Sequence, residues 1–186
     1  MFPVFDLGYE PDDLMVEVSH MMVATADGAD AEIDTAVLEV LRLLREKMHM
    51  DVVFVSEFAD GQRIFRAVDT APDHAVVAVG QGNLLEESWC QRVVDGRMPP
   101  YIPDASKEPT SAALEKALPF RIGTHISAPI VLKSGQVYGT LCCFSFSPVA
   151  ASNLDDLRRL QYTAQLTAGK IDGSRAAKKH SSAPSV

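Results

Sequence analysis

Three cysteines, five histidines and one tryptophan are the side chains best able to carry chemistry in this 186-residue chain. Cys142 and Cys143 are adjacent in an apolar run, so a strand would send their side chains to opposite faces. Neighbours placed that way make a strained disulfide and no shared metal site. The bland reading is a pair of small core hydrophobes. Cys90 stands beside Trp89 in a helical segment, and a redox role for Cys90 together with Cys142 requires that helix to cover the Cys142 face of a sheet. His20, His49, His74, His125 and His180 show no ligand spacing with one another, so no metal site is expected. His125 falls inside a central strand, where a lone histidine is more often a hydrogen-bonded structural residue than a ligand. Trp89 either stacks a planar ligand or fills core. No phosphate-cradling glycine loop, paired acidic metal motif or nucleophile elbow is present, so no catalytic residue is assigned.

The stretch that must position most of these side chains is residues 121–147, RIGTHISAPIVLKSGQVYGTLCCFSFS. Residues 124–132 are rich in β-branched types. Lys133-Ser134-Gly135 is a short loop with glycine where positive φ is needed, and residues 137–146 form a second strand. Both strands are too apolar for an edge with one wet face, which puts them inside a sheet covered on both sides. Gly139 within a strand marks close approach of another backbone or helix. If its face, with Leu141 and Cys143, meets the terminal helices, then Tyr138, Thr140, Cys142 and Phe144 look into a cavity. On the partner strand either the Thr124, Ile126, Ala128 set or the His125, Ser127 set faces it. His125 and Ser127 are the choice here, because an apolar pocket needs a few polar groups to fix a ligand. A one-residue slip in register would reverse it.

The pattern SAPIxLxxGxxYGTLCCFS resembles the closing hairpin of GAF domains, small-molecule-binding and regulatory modules of bacterial signalling. The resemblance extends upstream through ESWCQRVVDGRMPPYIPDA at 87–105 and VVFVSEF with DGQRIFRAVD at 52–69, so it covers roughly residues 33–169. It implies an α+β fold and a pocket roofed by the helix carrying Glu87, Trp89 and Cys90. Tyr101, in the proline-rich segment after that helix, joins the ligand-contacting candidates. It implies no particular ligand, because GAF domains share a scaffold and differ in what they bind; the cofactor is left unassigned. Some GAF proteins are thiol-dependent free methionine sulfoxide reductases. The cysteines here do not align with that set, and Arg92 and His125 are the only cations nameable for activating a thiol. Neither the bilin-type cysteine and histidine cluster nor the cyclic-nucleotide constellation is recognisable. Asp104 in the IPD segment reads as an Asx-type turn residue.

At this length one domain with a real core is expected. Hydrophobic content of 47% and charged content of 23% are ordinary for a globular protein. The net charge of −8 and pI near 5.0 argue against a nucleic-acid partner. No apolar run approaches the ~20 residues of a membrane span, and no signal peptide is recognisable. Three cysteines without framework spacing suit a reducing cytoplasm. Residues 1–10 read as an irregular lead-in held by Phe2 and Phe5, followed by a short helix to residue 22 and a small-residue loop at 26–30. Residues 32–49 form an amphipathic helix, with Ile33, Val37, Val40, Leu41, Leu44 and Met48 on one side. A hairpin turning at Asp60-Gly61 spans 52–70. Further expectations are a strand at 76–79, a helix at 84–94 stopped at Gly96, and a short helix at 111–118. A last helix at 152–168 opens with a Ser152–Asp155 capping box, and a disordered tail follows.

These readings combine into an N-terminal extension (1–30), a GAF-like domain (31–170) and a tail (171–186). The domain is an α+β fold with a central antiparallel sheet of about six strands. Terminal helices cover one face, and connections between residues 76 and 120 roof a pocket on the other. The expected function is regulatory: a small molecule, or redox state, biases the terminal helices, which act on a signalling partner. The apolar stripe Leu157, Leu160, Ala164 suggests a homodimer. The alternatives are a ligand-free interaction module and the thiol reductase.

Overall fold

The structure is a computed structural model that describes residues 12–24 and 33–182. The lead-in expected at 1–10, the loop at 26–30 and the end of the tail lie outside the described residues.

Helix α1 (Asp13–Ala24) and helix α2 (Thr35–Lys47) precede the sheet. Each is opened by an aspartate whose carboxylate accepts orphan backbone N–H groups: Asp12 from Met15, Asp34 from Ala36 and Val37. The strands are β1 (Val52–Ala59), β2 (Gln62–Thr70), β3 (Gly82–Leu84), β4 (Tyr101–Ile102), β5 (His125–Val131) and β6 (Val137–Phe144). They form one sheet in the order β3-β2-β1-β6-β5-β4, antiparallel at every pairing. The β1–β2 turn takes positive φ at both Asp60 and Gly61, the backbone of a type I′ hairpin. The six-stranded α+β architecture read from the sequence is therefore present.

Two clusters of buried side chains lie on opposite faces of this sheet. Val53, Val55, Ile126, Ala128, Ile130, Leu141 and Cys143 face α1, α2 and the long terminal helix α5 (Leu154–Ser181). Phe54, Phe65, Cys142 and Phe144 face the other way, beneath the connections that include α3 (Trp89–Val94) and α4 (Ala112–Glu115). Arg159 on α5 binds both Asp12 and Asp156 at 2.7 Å, tying α1 to α5. Lys170 reaches Asp34 at the start of α2, also at 2.7 Å.

Several local expectations are corrected. Residues 76–79 are not a strand; β3 lies further on, at Gly82–Leu84. The helix expected at 84–94 is split. Leu85–Glu87 is a 3₁₀ turn, and Ser88 then starts α3 by accepting the Gln91 N–H at 3.1 Å. The helix at 111–118 shrinks to the single turn of α4. Asn153, not Ser152, caps α5, with Asp156 completing the capping box. The disordered tail expected from residue 171 is helical through Ser181. Ile171 is fully buried between Gly169 and Gly173, and its burial outweighs the weak helix propensity of the two glycines. Leu160 and Ala164 are likewise buried, with Leu157 packed beside them. That stripe packs within the chain's own core. Among the described residues no helix is long and apolar enough to cross a membrane.

Candidate functional site

The pocket is built on the face opposite the terminal helices. Phe54 from β1, Arg63 and Phe65 from β2, His125 from β5 and Phe144 from β6 form its floor; Trp89 from α3, Leu118, Phe120 and Ile122 close over it. Phe120 stacks on Phe144 at 5.5 Å between ring centroids, and Phe54 meets Phe65 edge to face at 4.8 Å. The cavity left between them has about 50 Å³ open to the centre of a water molecule, enough for a few waters or one small group.

Three polar groups converge on it. The Arg63 guanidinium lies over the Phe65 ring at 4.6 Å and donates from Nε to Asn83 Oδ1 at 3.0 Å. None of the ion pairs among the described residues gives it a carboxylate partner. Trp89 and His125 sit with ring centroids 5.0 Å apart, and both carry a buried nitrogen with no hydrogen-bond partner: Nε1 of Trp89 and Nδ1 of His125. Burial and then the charge of Arg63 push the His125 imidazole down to about 3, so it is neutral at physiological pH. Trp89 Nε1 can only donate, whereas His125 Nδ1 donates or accepts according to tautomer.

Behind Trp89 lies a buried polar chain. Cys90 Sγ on α3 is 3.2 Å from Cys142 Sγ on β6. Cys142 is 2.9 Å from Ser127 Oγ and donates to Thr140 Oγ1 at 3.2 Å. Thr140 in turn meets Ser56 Oγ at 2.9 Å. Arg63 Nη1 donates to Cys90 Sγ at 3.5 Å. Burial raises the Cys90 thiol, but the Cys142 hydrogen bond and the Arg63 charge outweigh it and bring the group down to about 5. Burial and then Cys90 itself push Cys142 up, so of the two sulfurs Cys90, beside Arg63, is the one that loses its proton more readily. Cys143 faces the helices, and burial followed by Asp156 pushes it up as well. All three cysteines are free, and no cluster suited to a metal ion occurs among the described residues.

The candidates read from the sequence therefore separate into three places. Trp89, His125 and Phe144 line the cavity. Cys90, Ser127, Thr140 and Cys142 form the buried chain behind it. Tyr138 and Tyr101 lie on the helix-layer side. Tyr138 is displaced because the β5–β6 register shifts between Ile130 and Val131, leaving it as the extra residue of a bulge. Its ring lies 5.4 Å from the Arg175 guanidinium of α5. Tyr101 pairs with Ile126, which faces the helices. Asp104 accepts the Ser106 N–H at 3.1 Å and serves the turn. The cation beside the thiol is Arg63, not Arg92 or His125. Arg63 was missed although it pairs with Phe58 across the hairpin and so shares the pocket face of Phe54 and Phe65; the bulge in β2 comes after it, at Arg66.

A family model for the GAF domain matches residues 32–171. No curated relative matches the chain by sequence. Solved structures do match in shape. The phycoerythrobilin-bound GAF domain from a cyanobacterial phytochrome gives a TM-score of 0.72 at 14% identity, covering 91% of this chain and 100% of that one. The GAF domain from Acinetobacter phosphoenolpyruvate-protein phosphotransferase gives 0.65 at 15%, covering 91% and 99%. The free methionine-R-sulfoxide reductase from Neisseria meningitidis, in complex with its substrate, gives 0.65 at 13%, covering 91% and 96%. At such identities the likeness speaks for the fold alone.

Proposed function

Because this chain belongs to the GAF domain family, we propose that it is a cytoplasmic sensory domain whose pocket takes a small, flat molecule bearing a hydrogen-bond acceptor at its buried end. The observation that carries this reading is that Trp89 and His125, which line one cavity, each hold a buried nitrogen without a partner, Nε1 and Nδ1. Buried polar groups are nearly always paired, so two orphans in one hollow fit a bound partner. The aromatic walls suit a planar body, and Arg63 supplies positive charge beside it. A ligand the size of the phycoerythrobilin in the cyanobacterial neighbour does not fit a cavity with room for only a few waters. Occupancy would act through the sheet on α1, α2 and α5, and from there on a partner protein.

Trp89 is the chain's only tryptophan, so its indole N–H gives a single resonance in a ¹⁵N-labelled sample. Titration with benzoate and nicotinamide is expected to move that resonance saturably, while butylamine leaves it in place. If neither planar compound moves it and the native mass of the purified protein shows no adduct, the domain is a ligand-free interaction module instead.

A second reading, thiol-dependent reduction of free methionine sulfoxide, draws on the 3.2 Å approach of Cys90 and Cys142. The sulfoxide oxygen would leave as water while the two thiols close into a disulfide. Turnover with dithiothreitol as reductant, abolished in a Cys90→Ser, Cys142→Ser double variant, would establish it. Absence of turnover in the parent protein removes it.

A further inference from the structure

We propose that Cys90 and Cys142 form a peroxide-oxidised switch, closing into a disulfide that fastens α3 to β6. The two sulfurs lie 3.2 Å apart, and closing to a bond needs a shift of about 1.2 Å towards the S–S length near 2.05 Å. They arrive from elements far apart in sequence, so the bridge would pin the pocket's roof to its floor. Their surroundings fit opposite roles. Cys90 faces the Arg63 guanidinium, which favours the thiolate that attacks. Cys142 is fully buried and touches Cys90 itself, and burial beside that sulfur keeps a protonated thiol next to it. Cys143 has neither a cation nor a second thiol at hand, and it faces the other side of the sheet.

The oxidant class is a hydroperoxide; hydrogen peroxide is small enough for the cavity lined by Arg63 and Trp89, and reaches Cys90, buried behind them, when α3 opens from the sheet. Cys90 sulfur attacks one peroxide oxygen and the O–O bond breaks. The departing hydroxide takes up a proton as water, leaving Cys90 as sulfenic acid. Cys142 sulfur then attacks Cys90 sulfur; its proton leaves with the hydroxyl as a second water, and the S–S bond forms. Two electrons pass from the sulfurs to the peroxide. The bridge removes the negative charge facing Arg63, so the guanidinium beside the pocket loses its anionic neighbour. None of these steps requires a ligand in the pocket or a sulfoxide substrate, so the switch stands or falls apart from the readings above.

The test treats the folded, ligand-free full chain with a slight excess of hydrogen peroxide, blocks remaining thiols with iodoacetamide and maps the products by mass spectrometry. Two of three thiols are expected to disappear, with the link located at Cys90 and Cys142. Cys142→Ser is expected to stop at a sulfenic acid on Cys90 that dimedone traps, and Cys143→Ser to form the bridge as the parent does. Retention of three thiols by the folded parent overturns the proposal, as does a bridge mapped to Cys143. The parent's own products decide the matter even if a buried serine variant folds poorly.

Discussion

Gly139→Ala is expected to destabilise the domain by about 3 kcal/mol or more, among the largest effects a single methyl can have here. The backbone at Gly139 has no unusual φ; the obstacle is space. A Cβ there would overlap the Ser56 carbonyl oxygen and lie 2.7 Å from its carbon and 2.9 Å from Glu57 Cα. All three are backbone atoms of β1, so no side chain can rotate away. The β1–β6 pair at the centre of the sheet would have to part, next to the point where the β1–β2 pairing is already irregular. Separation there also pulls on the Ser56–Thr140 hydrogen bond, one end of the chain that holds Cys142. Gly169→Ala is the control. Its Cβ meets nothing within 4 Å inside α5, and the change should stabilise by about 0.5–1 kcal/mol. Guanidinium unfolding of both variants should move the midpoint in opposite directions. Equal stability of Gly139→Ala and the parent would mean that β1 and β6 do not approach as described.

Gly139 also illustrates what was legible beforehand. A glycine in an apolar strand advertises a close neighbour, but not which one: the neighbour is the adjacent strand, not the helix layer. The two apolar strands, the D-G hairpin and the α2 stripe were readable because each follows from local periodicity or turn chemistry. Alternation left two sets open on β5, and the need of an apolar pocket for polar groups chose His125 and Ser127, which lie on the roofed side with Cys142 and Phe144. Alternation failed at the β6 bulge. Tyr138 was assigned to the cavity and lies under α5. Arg63 went unnoticed on other grounds: a cation next to a hairpin turn reads as a solvated residue, although its pairing with Phe58 turns it toward the pocket and Cys90. Bulges leave no mark in residue types, because the extra residue, Arg66 or Tyr138, is an ordinary strand former or a surface cation. The far end of α5 was missed for a different reason. Its sequence is polar and glycine-interrupted, and what keeps it helical is the long-range burial of Ile171 against the sheet layer.

His125→Gln should remove much of the domain's sensitivity to mild acid. In the folded chain burial and then Arg63 push the imidazole down to about 3, whereas an unfolded histidine titrates near ~6.5. The folded pKa is depressed, so the unfolded chain binds a proton that the folded chain refuses. Stability is therefore full above pH ~6.5 and falls by up to about 1.4 kcal/mol per unit between ~6.5 and 3. Between pH 7.5 and 5.0 this amounts to roughly 2 kcal/mol. The charged and titratable groups around the ring are few: Arg63 on β2, Cys90 on α3 and the exposed Glu87 at the pocket rim. Cys90 pushes stability the same way, since its thiol is also held down, to about 5; comparing parent with variant cancels that contribution. The carboxylates held below their usual range, Asp95, Asp104 and Glu108, begin to act only at lower pH. Chemical unfolding of parent and His125→Gln at pH 7.5 and 5.0 should thus show the gap between them shifting by about 2 kcal/mol in the variant's favour on acidification. A constant gap would mean that the ring accepts a proton freely, and so that water reaches it past Trp89. A neutral ring has a functional corollary: the imidazole can recognise a ligand by hydrogen bonding but not by charge, which leaves Arg63 as the cation that an acidic ligand would meet.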